Sequence, residues 1–272
     1  MLRVEVQIAG AASFYVLNRL RMKSKTAVRL LSIGILILFI STALMQANKA
    51  DDPKLSRVEN ARLRAKVKLA PELEKKKLLL GSQVFMRIFK ESKELEVFLE
   101  NPSSNKFDLL KTYKICTFSG KLGPKQKQGD RQAPEGFYFV PRGRMNPQSR
   151  YHLAFNLGYP NAYDRAHGRT GDYLMVHGNC VSIGCYAMTD PLIEEIYTLA
   201  DAALTKGQHY FRVHCFPFRM TNERMAKAEK SDSEWLPFWK NLKEGYELFE
   251  KELIPPDAKF SKQRYIFTSG KR

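Results

Sequence analysis

From Gln83 the chain takes up a period of two: "QVFMRIF", "ELEVFLE" and "LLKTYKIC" alternate apolar with polar residues, and Glu91-Ser92-Lys93 forms a turn between the first two. Only an extended chain turns every second side chain to the same side, so this stretch predicts a β-meander that opens a folded domain. The following "SGKLGPKQKQGDRQAPEGFYFVP" is a loop punctuated by Gly and Pro that leads into a strand around Phe137 to Val140. "YHLAFNL", "DYLMVHG" and "HYFRVHCFPF" predict further strands. Before the last of these, "TDPLIEEIYTLADAALTKG" reads as a helix, with Thr189 or Asp190 as N-cap, Pro191 in its first turn and Lys206-Gly207 as its stop. From about Thr221 to Leu253 the pattern is helical, and Trp235 and Trp239, one turn apart, are expected to pack on the core. There is no internal repeat, P-loop or dinucleotide fingerprint.

The other end of the chain bears on where such a domain works. Arg19, Arg21, Lys23, Lys25 and Arg29 precede an apolar run from Leu30 to Met45, and Ser41-Thr42-Ala43 near its end fits a small-x-small cleavage site. The run is short for a membrane-spanning helix, which needs ~20 residues. Residues 1–47 are therefore expected to be a cleaved secretory signal, with a retained inner-membrane anchor as the alternative. Met22 stands where a compact signal would begin, and is the expected true start. Residues 48–80 are charged, lack aromatics and contain two prolines, and are expected to be a charged linker or a loose helix, with a solvated spacer favoured.

The formal net charge is +17, and setting aside residues 1–47, which hold six Lys/Arg and one Glu, leaves +12. A balance like this favours polyanionic partners. For an exported chain those are envelope carboxylates and phosphates rather than nucleic acid.

The chemistry concentrates in "HGNCVSIGCYAMTD", residues 177 to 190. As a metal site it would need a fourth ligand, and C-x4-C lacks the tight pairing of structural zinc sites, so no metal or other cofactor is expected. Cys116, Cys180, Cys185 and Cys215 could form disulfides in an oxidising compartment, and spacing selects no connectivity. If Cys185 stays reduced, Cys180 can pair with Cys116 or Cys215. As a nucleophile, Cys185 would have Gly184 before it to admit substrate closely, a helix N-terminus just beyond, and His177 at the end of an apolar strand as base. On spacing alone, nucleophile and structural disulfide stand near even.

"VHGNCVSIGCYAM" resembles the signature of the YkuD-type L,D-transpeptidase catalytic domain, which runs from an HG pair to S-H-G-C. Ser182, Gly184 and Cys185 match that block, His177-Gly178 matches the upstream pair, and Pro134 and Gly136 in "GDRQAPEGFY" match a Thr-Pro-x-Gly strand entry. "GKLGPKQKQGD", "YPNAYDRAHG" and "SIGCYAMT" are similar to the YafK-type branch of that family. The sequence departs from the common pattern at Ile183, which replaces a histidine, at Ala187, which replaces an arginine, and in a shorter spacing from His177 to Cys185.

The resemblance implies a mainly β (α+β) fold, a β-sandwich catalytic domain over residues 81–218 with added helices and a helical C-terminal extension over 219–272. It implies an enzyme of the bacterial cell wall, periplasmic in a Gram-negative bacterium, whose partners are peptidoglycan stem peptides and, in the YafK-type branch, murein-linked outer-membrane lipoprotein. Cys185 would attack at the L-centre of diaminopimelate to form a thioester, with His177 as base and the N–H groups of Gly184 and Cys185 as oxyanion donors. Arg165, His167 and Lys125 are expected to bind the substrate, although a solvated loop charge is the stronger expectation for Lys125. Ser182 is counted with the substrate-binding residues and is expected to satisfy a turn, the alternative being a hydrogen bond that orients His177; His152, His209 and His214 are expected to be structural. Ile183 and Ala187 favour hydrolysis of the diaminopimelate–lysine link; the wider family favours transpeptidation, forming cross-links or attaching lipoprotein. The rivals are a membrane-tethered binding module for anionic envelope polymers and, less well supported, a thiol–disulfide protein.

Overall fold

The computed structural model describes residues 51–270, and the chain from Asp51 onward forms one compact unit. The proposed signal, its cleavage site and Met22 lie outside the described residues. The three alternating runs form β1 (Val84–Phe89), β2 (Glu94–Glu100) and β3 (Phe107–Lys114), paired antiparallel in sequence order. β1 then pairs in parallel with β10 (Tyr210–Phe216), and β10 pairs antiparallel with β5 (Gly136–Pro141), giving a sheet of order β3-β2-β1-β10-β5.

A second five-stranded sheet has the order β4-β9-β8-β7-β6, built from β4 (Thr117–Phe118), β9 (Tyr186–Ala187), β8 (Met175–His177), β7 (Ala154–Asn156) and β6 (Met145–Asn146). Its Phe155, Val176 and Tyr186 share one buried apolar cluster with Met86, Val97 and Val213 of the first sheet. The architecture is thus α+β and mainly strands, with two mixed sheets and added helices.

Although β1 alternates in sequence, it is buried on both faces. Phe85 and Phe89 face α5 (Leu236–Glu252), where they meet Phe249 and Tyr246. Arg87, the polar member of the stripe, lies under the same helix and is satisfied by Glu96 and Glu250. The face that alternation assigns to water is covered by the C-terminal part of the chain.

The segment expected to be a linker is, from Arg57 to Lys76, a 20-residue helix, α1. Ser56 and Glu59 close a capping box at its start, and Ala61, Ala65 and Leu69 form a buried stripe one turn apart. Arg64 and Arg62 pair with Glu194 and Asp201 of α3 (Asp190–Thr205), so the charges that read as a solvated spacer are half of a helix–helix seam. The helix at Asp190 has Thr189 as N-cap.

The expected helical extension holds α4 (Asn222–Lys230) and α5 but ends in a hairpin, β11 (Asp257–Ser261) and β12 (Arg264–Thr268). Its turn residues, Lys262 and Gln263, both have positive φ, a conformation whose usual glycine or asparagine signal is missing from the sequence. Trp239 is buried against Phe218. A fully buried pair, Lys90 and Glu135, ties this extension to the core: Lys90 Nζ donates to Gly123 O at 2.6 Å, while Gly123 N–H and Trp239 Nε1 donate to Glu135 at 2.7 and 2.9 Å. Among the described residues no helix is long and apolar enough to cross a membrane.

Candidate active site

β8 and β9 run parallel, with Val176 opposite Tyr186 and His177 opposite Ala187. Period-two alternation therefore turns His177, and Cys185 one residue ahead of β9, toward the same side of the sheet. The loop that joins the two strands is held at several points. Cys180 is bonded to Cys116, with Cα atoms 5.4 Å apart, which resolves the pairing that spacing left open and leaves Cys185 and the buried Cys215 as free thiols. Both bridged residues also donate backbone bonds to the strand end after Cys185, Cys116 to Ala187 O and Cys180 to Met188 O. Asn179 N–H donates to Asp190 Oδ1 at 2.7 Å, and a Cβ at Gly178 would collide with that carboxylate.

The Cys185 sulfur accepts from Met175 N–H at 3.4 Å and lies 3.6 Å from Tyr173 O, to which its S–H donates. Burial pushes the thiol above the ordinary cysteine range, and the Met175 N–H and the charge of Lys125 pull it back in part. Cys185 at rest is therefore a protonated thiol, which would need a base to act as a nucleophile.

His177 is buried, packs against Tyr151 with ring centroids 4.7 Å apart and planes tilted by 30°, and donates from Nδ1 to Gly178 O at 2.6 Å. A carbonyl only accepts, so the proton sits on Nδ1 and the lone pair on Nε2. Burial lowers the His177 pKa against the opposing effect of the Gly178 bond, which keeps the ring neutral near pH 7. A neutral imidazole with its tautomer fixed this way is a ready proton acceptor.

Gly184 has φ +153°, a conformation that favours glycine, with Leu174 and Gln132 O just beyond where a Cβ would be. Its N–H donates to Ser182 Oγ at 3.1 Å, so it is not available to an oxyanion as the sequence pattern implied. Of the two amides, Gly184 and Cys185, the second has no acceptor among the described residues. The turn itself explains the difference: Ser182 Oγ also donates to Cys185 O at 2.7 Å, and Ser119 Oγ donates to Ser182 O at 2.8 Å. Ser182 thus satisfies the turn and makes no hydrogen bond to His177.

The substrate candidates separate in space. Lys125 is buried rather than solvated, held by Asp130 and by Lys127 O, near enough to Cys185 to act on its charge. Arg165 donates to Pro160 O and lines a cleft of about 440 Å³ with Arg144, Gly158 and Tyr173, the last being the residue whose carbonyl touches the Cys185 thiol. Two guanidinium groups against one carboxylate, Asp172, leave the cleft a net positive lining that suits a carboxylate ligand. His167 instead stacks on Tyr163 at 4.0 Å, bonds Tyr163 O and faces Phe260 of the C-terminal hairpin, so it does not compete with His177 as base. His152 is bound to Glu194, and His214 lies among Phe85, Phe137 and Phe216.

Sequence reasoning passed over Tyr151, Tyr173, Met175, Asp130 and Arg144. Tyr173 and Met175 carried a signal, standing four and two residues before His177 in the alternating run "DYLMVHG", although β8 itself begins only at Met175. The described residues contain no group of three His, Cys, Asp or Glu side chains that could hold a metal ion.

Residues 95–242 match the YkuD family, described as an L,D-transpeptidase catalytic domain. Over 193 residues, 71% of this chain and 77% of the relative, the sequence is 48% identical to YafK, an L,D-transpeptidase-family protein of Escherichia coli strains K12 and O157:H7. Among solved structures, the helical cell shape determining protein Pgp2 of Campylobacter jejuni aligns with a TM-score of 0.39 and 20% identity, over 71% of this chain and 80% of that one. Bd1075 of Bdellovibrio bacteriovorus aligns at 0.34 and 22%, over 61% and 60%.

Proposed function

The chain belongs to the YkuD family of L,D-transpeptidase catalytic domains, and from that premise we propose that it is an exported cysteine enzyme that cuts the diaminopimelate–lysine link between peptidoglycan stem peptides and a murein-bound outer-membrane lipoprotein. The observation that carries this reading is the free Cys185 thiol on the same side of the sheet as a neutral His177 whose Nδ1 proton is pinned to Gly178. His177 Nε2 takes the thiol proton as sulfur attacks the carbonyl at the L-centre of diaminopimelate. Negative charge collects on the carbonyl oxygen, where the Cys185 N–H is the available backbone donor. Collapse breaks the C–N bond, His177 returns the proton to the departing lysine amine, and the acyl group remains as a thioester. Water, deprotonated by the same imidazole, then releases the free acid and the thiol.

Arg165 and Arg144 in the adjoining cleft hold the stem-peptide carboxylates, and Lys125 biases the thiol toward its charged form. Two positions that are polar in the common family pattern support water as the acceptor: Ile183 is 80% exposed and Ala187 is fully buried, so neither supplies a polar side chain for an incoming amine. Export to the periplasm is supported by the Cys116–Cys180 disulfide, which persists in oxidising compartments, and by the N-terminal sequence. Association with the inner membrane would require the N-terminal segment to stay uncleaved.

Muropeptides that carry a lysine-containing lipoprotein remnant, and free tetrapeptide muropeptides, are incubated with the protein and with Cys185→Ala, and the products read by mass spectrometry. The expected result is loss of the remnant to leave a tripeptide, only with Cys185 present. Tetrapeptides that lose D-Ala and gain an amine would make the chain a transpeptidase; no product from either substrate would favour the binding module.

A further inference from the structure

A second concave surface lies at the free edge of the first sheet. Phe139 on edge strand β5 is 49% exposed and Tyr210 at the start of β10 is 39% exposed, with ring centroids 5.4 Å apart. They line a groove of about 360 Å³ whose other wall is β11, with Lys259 on it. The groove continues past Tyr210 and Arg212 into a depression of about 460 Å³ that reaches Lys206 and Gln208. Each ring carries a guanidinium: Arg144 sits 5.0 Å over Phe139, and Arg212, paired with Asp257, sits 5.2 Å over Tyr210. Also lining the groove is His214, a buried side chain whose Nδ1 has no hydrogen-bond partner.

Half-exposed flat rings beside cations suit a ligand with apolar faces and polar, acidic edges. Pyranose rings have that character: their C–H faces stack on aromatic rings, and their hydroxyl and carboxylate groups take donors from Arg and Lys. Position narrows the ligand further. Arg144, which covers Phe139, also lines the cleft beside Cys185, where the glycine at 158 leaves room for its guanidinium. One side chain therefore joins the groove to the peptide cleft.

We propose that the Phe139–Tyr210 groove is a binding subsite for the amino-sugar strand of the cell wall, which leads the attached stem peptide past Arg144 to Cys185; this rests on the reading of Cys185 as a peptidoglycan enzyme's nucleophile. The test uses the full chain carrying Cys185→Ala, so that no turnover intervenes, and peptide-free glycan strands, whose muramic acid units keep a carboxylate. Dissociation constants are measured for that protein and for its Phe139→Ala, Tyr210→Ala and Phe139→Tyr derivatives. Leu63→Ala, at an exposed apolar position on α1, is the control, and thermal melting checks that each variant is folded.

Each alanine substitution in the groove is expected to weaken binding about tenfold, with Phe139→Tyr and Leu63→Ala close to the parent. Equal binding by all the variants overturns the subsite, as does tighter binding of a single-stranded oligonucleotide of matched length. Acylation of Cys185 by a sugar-free stem peptide tests the parent reading separately, so a chain that acylates but ignores glycan strands loses the subsite alone.

Discussion

Burial acts on His177 and Cys185 in opposite senses, lowering the imidazole's pKa and raising the thiol's. A mechanism that passes a proton from thiol to neutral imidazole needs both groups uncharged at rest. The pH profile of kcat/KM should therefore be broad, its acid limb below the ordinary histidine value of about 6.5 and its alkaline limb above the ordinary cysteine value of about 8.5. An acid limb above pH 7 would mean that some other group is the base. Residue types singled out Cys185 and His177 as a candidate pair but left a structural disulfide at near even odds, and it was the resemblance to the family signature that favoured the pair. The direction of the Gly184 N–H was not legible: the turn closed by Ser182 sets it, and composition does not encode where an amide points. Lys125 was misread for a similar reason, since its carboxylate partner Asp130 sits in the same loop and draws the charge inward.

At the scale of elements, the long strands were legible because six to eight residues carry a period. β4, β6 and β9 are two residues each, too short for any period, and are defined only by their neighbours. The sequence offered α1 only as a loose helix or linker, and its packing was hidden because the buried stripe is mostly alanine within a charged sequence and only the acidic partners on α3 make that charge structural. The loop from Gly178 to Gly184 depends on a tether 64 residues distant in sequence, the Cys116–Cys180 bond. Removing both sulfurs with Cys116→Ser/Cys180→Ser should cost about 4 kcal/mol of stability, measured by denaturant unfolding. Turnover should fall about 10- to 100-fold at temperatures where the variant is still folded, because Cys185 follows directly from that loop. Unaltered turnover would show that the Asn179–Asp190 and Ser182 bonds hold the nucleophile unaided.

For the whole molecule, His177 and His214 are both buried with lowered pKa values, His214 well below the ordinary range. The unfolded chain binds protons at these residues near pH 6.5 and the folded chain does not, so their contribution to stability is present above that pH and is lost as pH falls toward the folded values. The melting temperature should drop between pH 7 and pH 5, before the carboxylates titrate, and His214→Phe should flatten the drop. A flat profile in the parent protein would mean that neither ring gains a proton on unfolding. The parallel pairing of β1 with β10 has a consequence in time as well as in space. Val84 to Phe89 meet their inner neighbour only when Tyr210 to Phe216 have been made, so a nascent chain halted anywhere before residue 210 displays an open sheet edge, and the core closes only from the far end of the polypeptide.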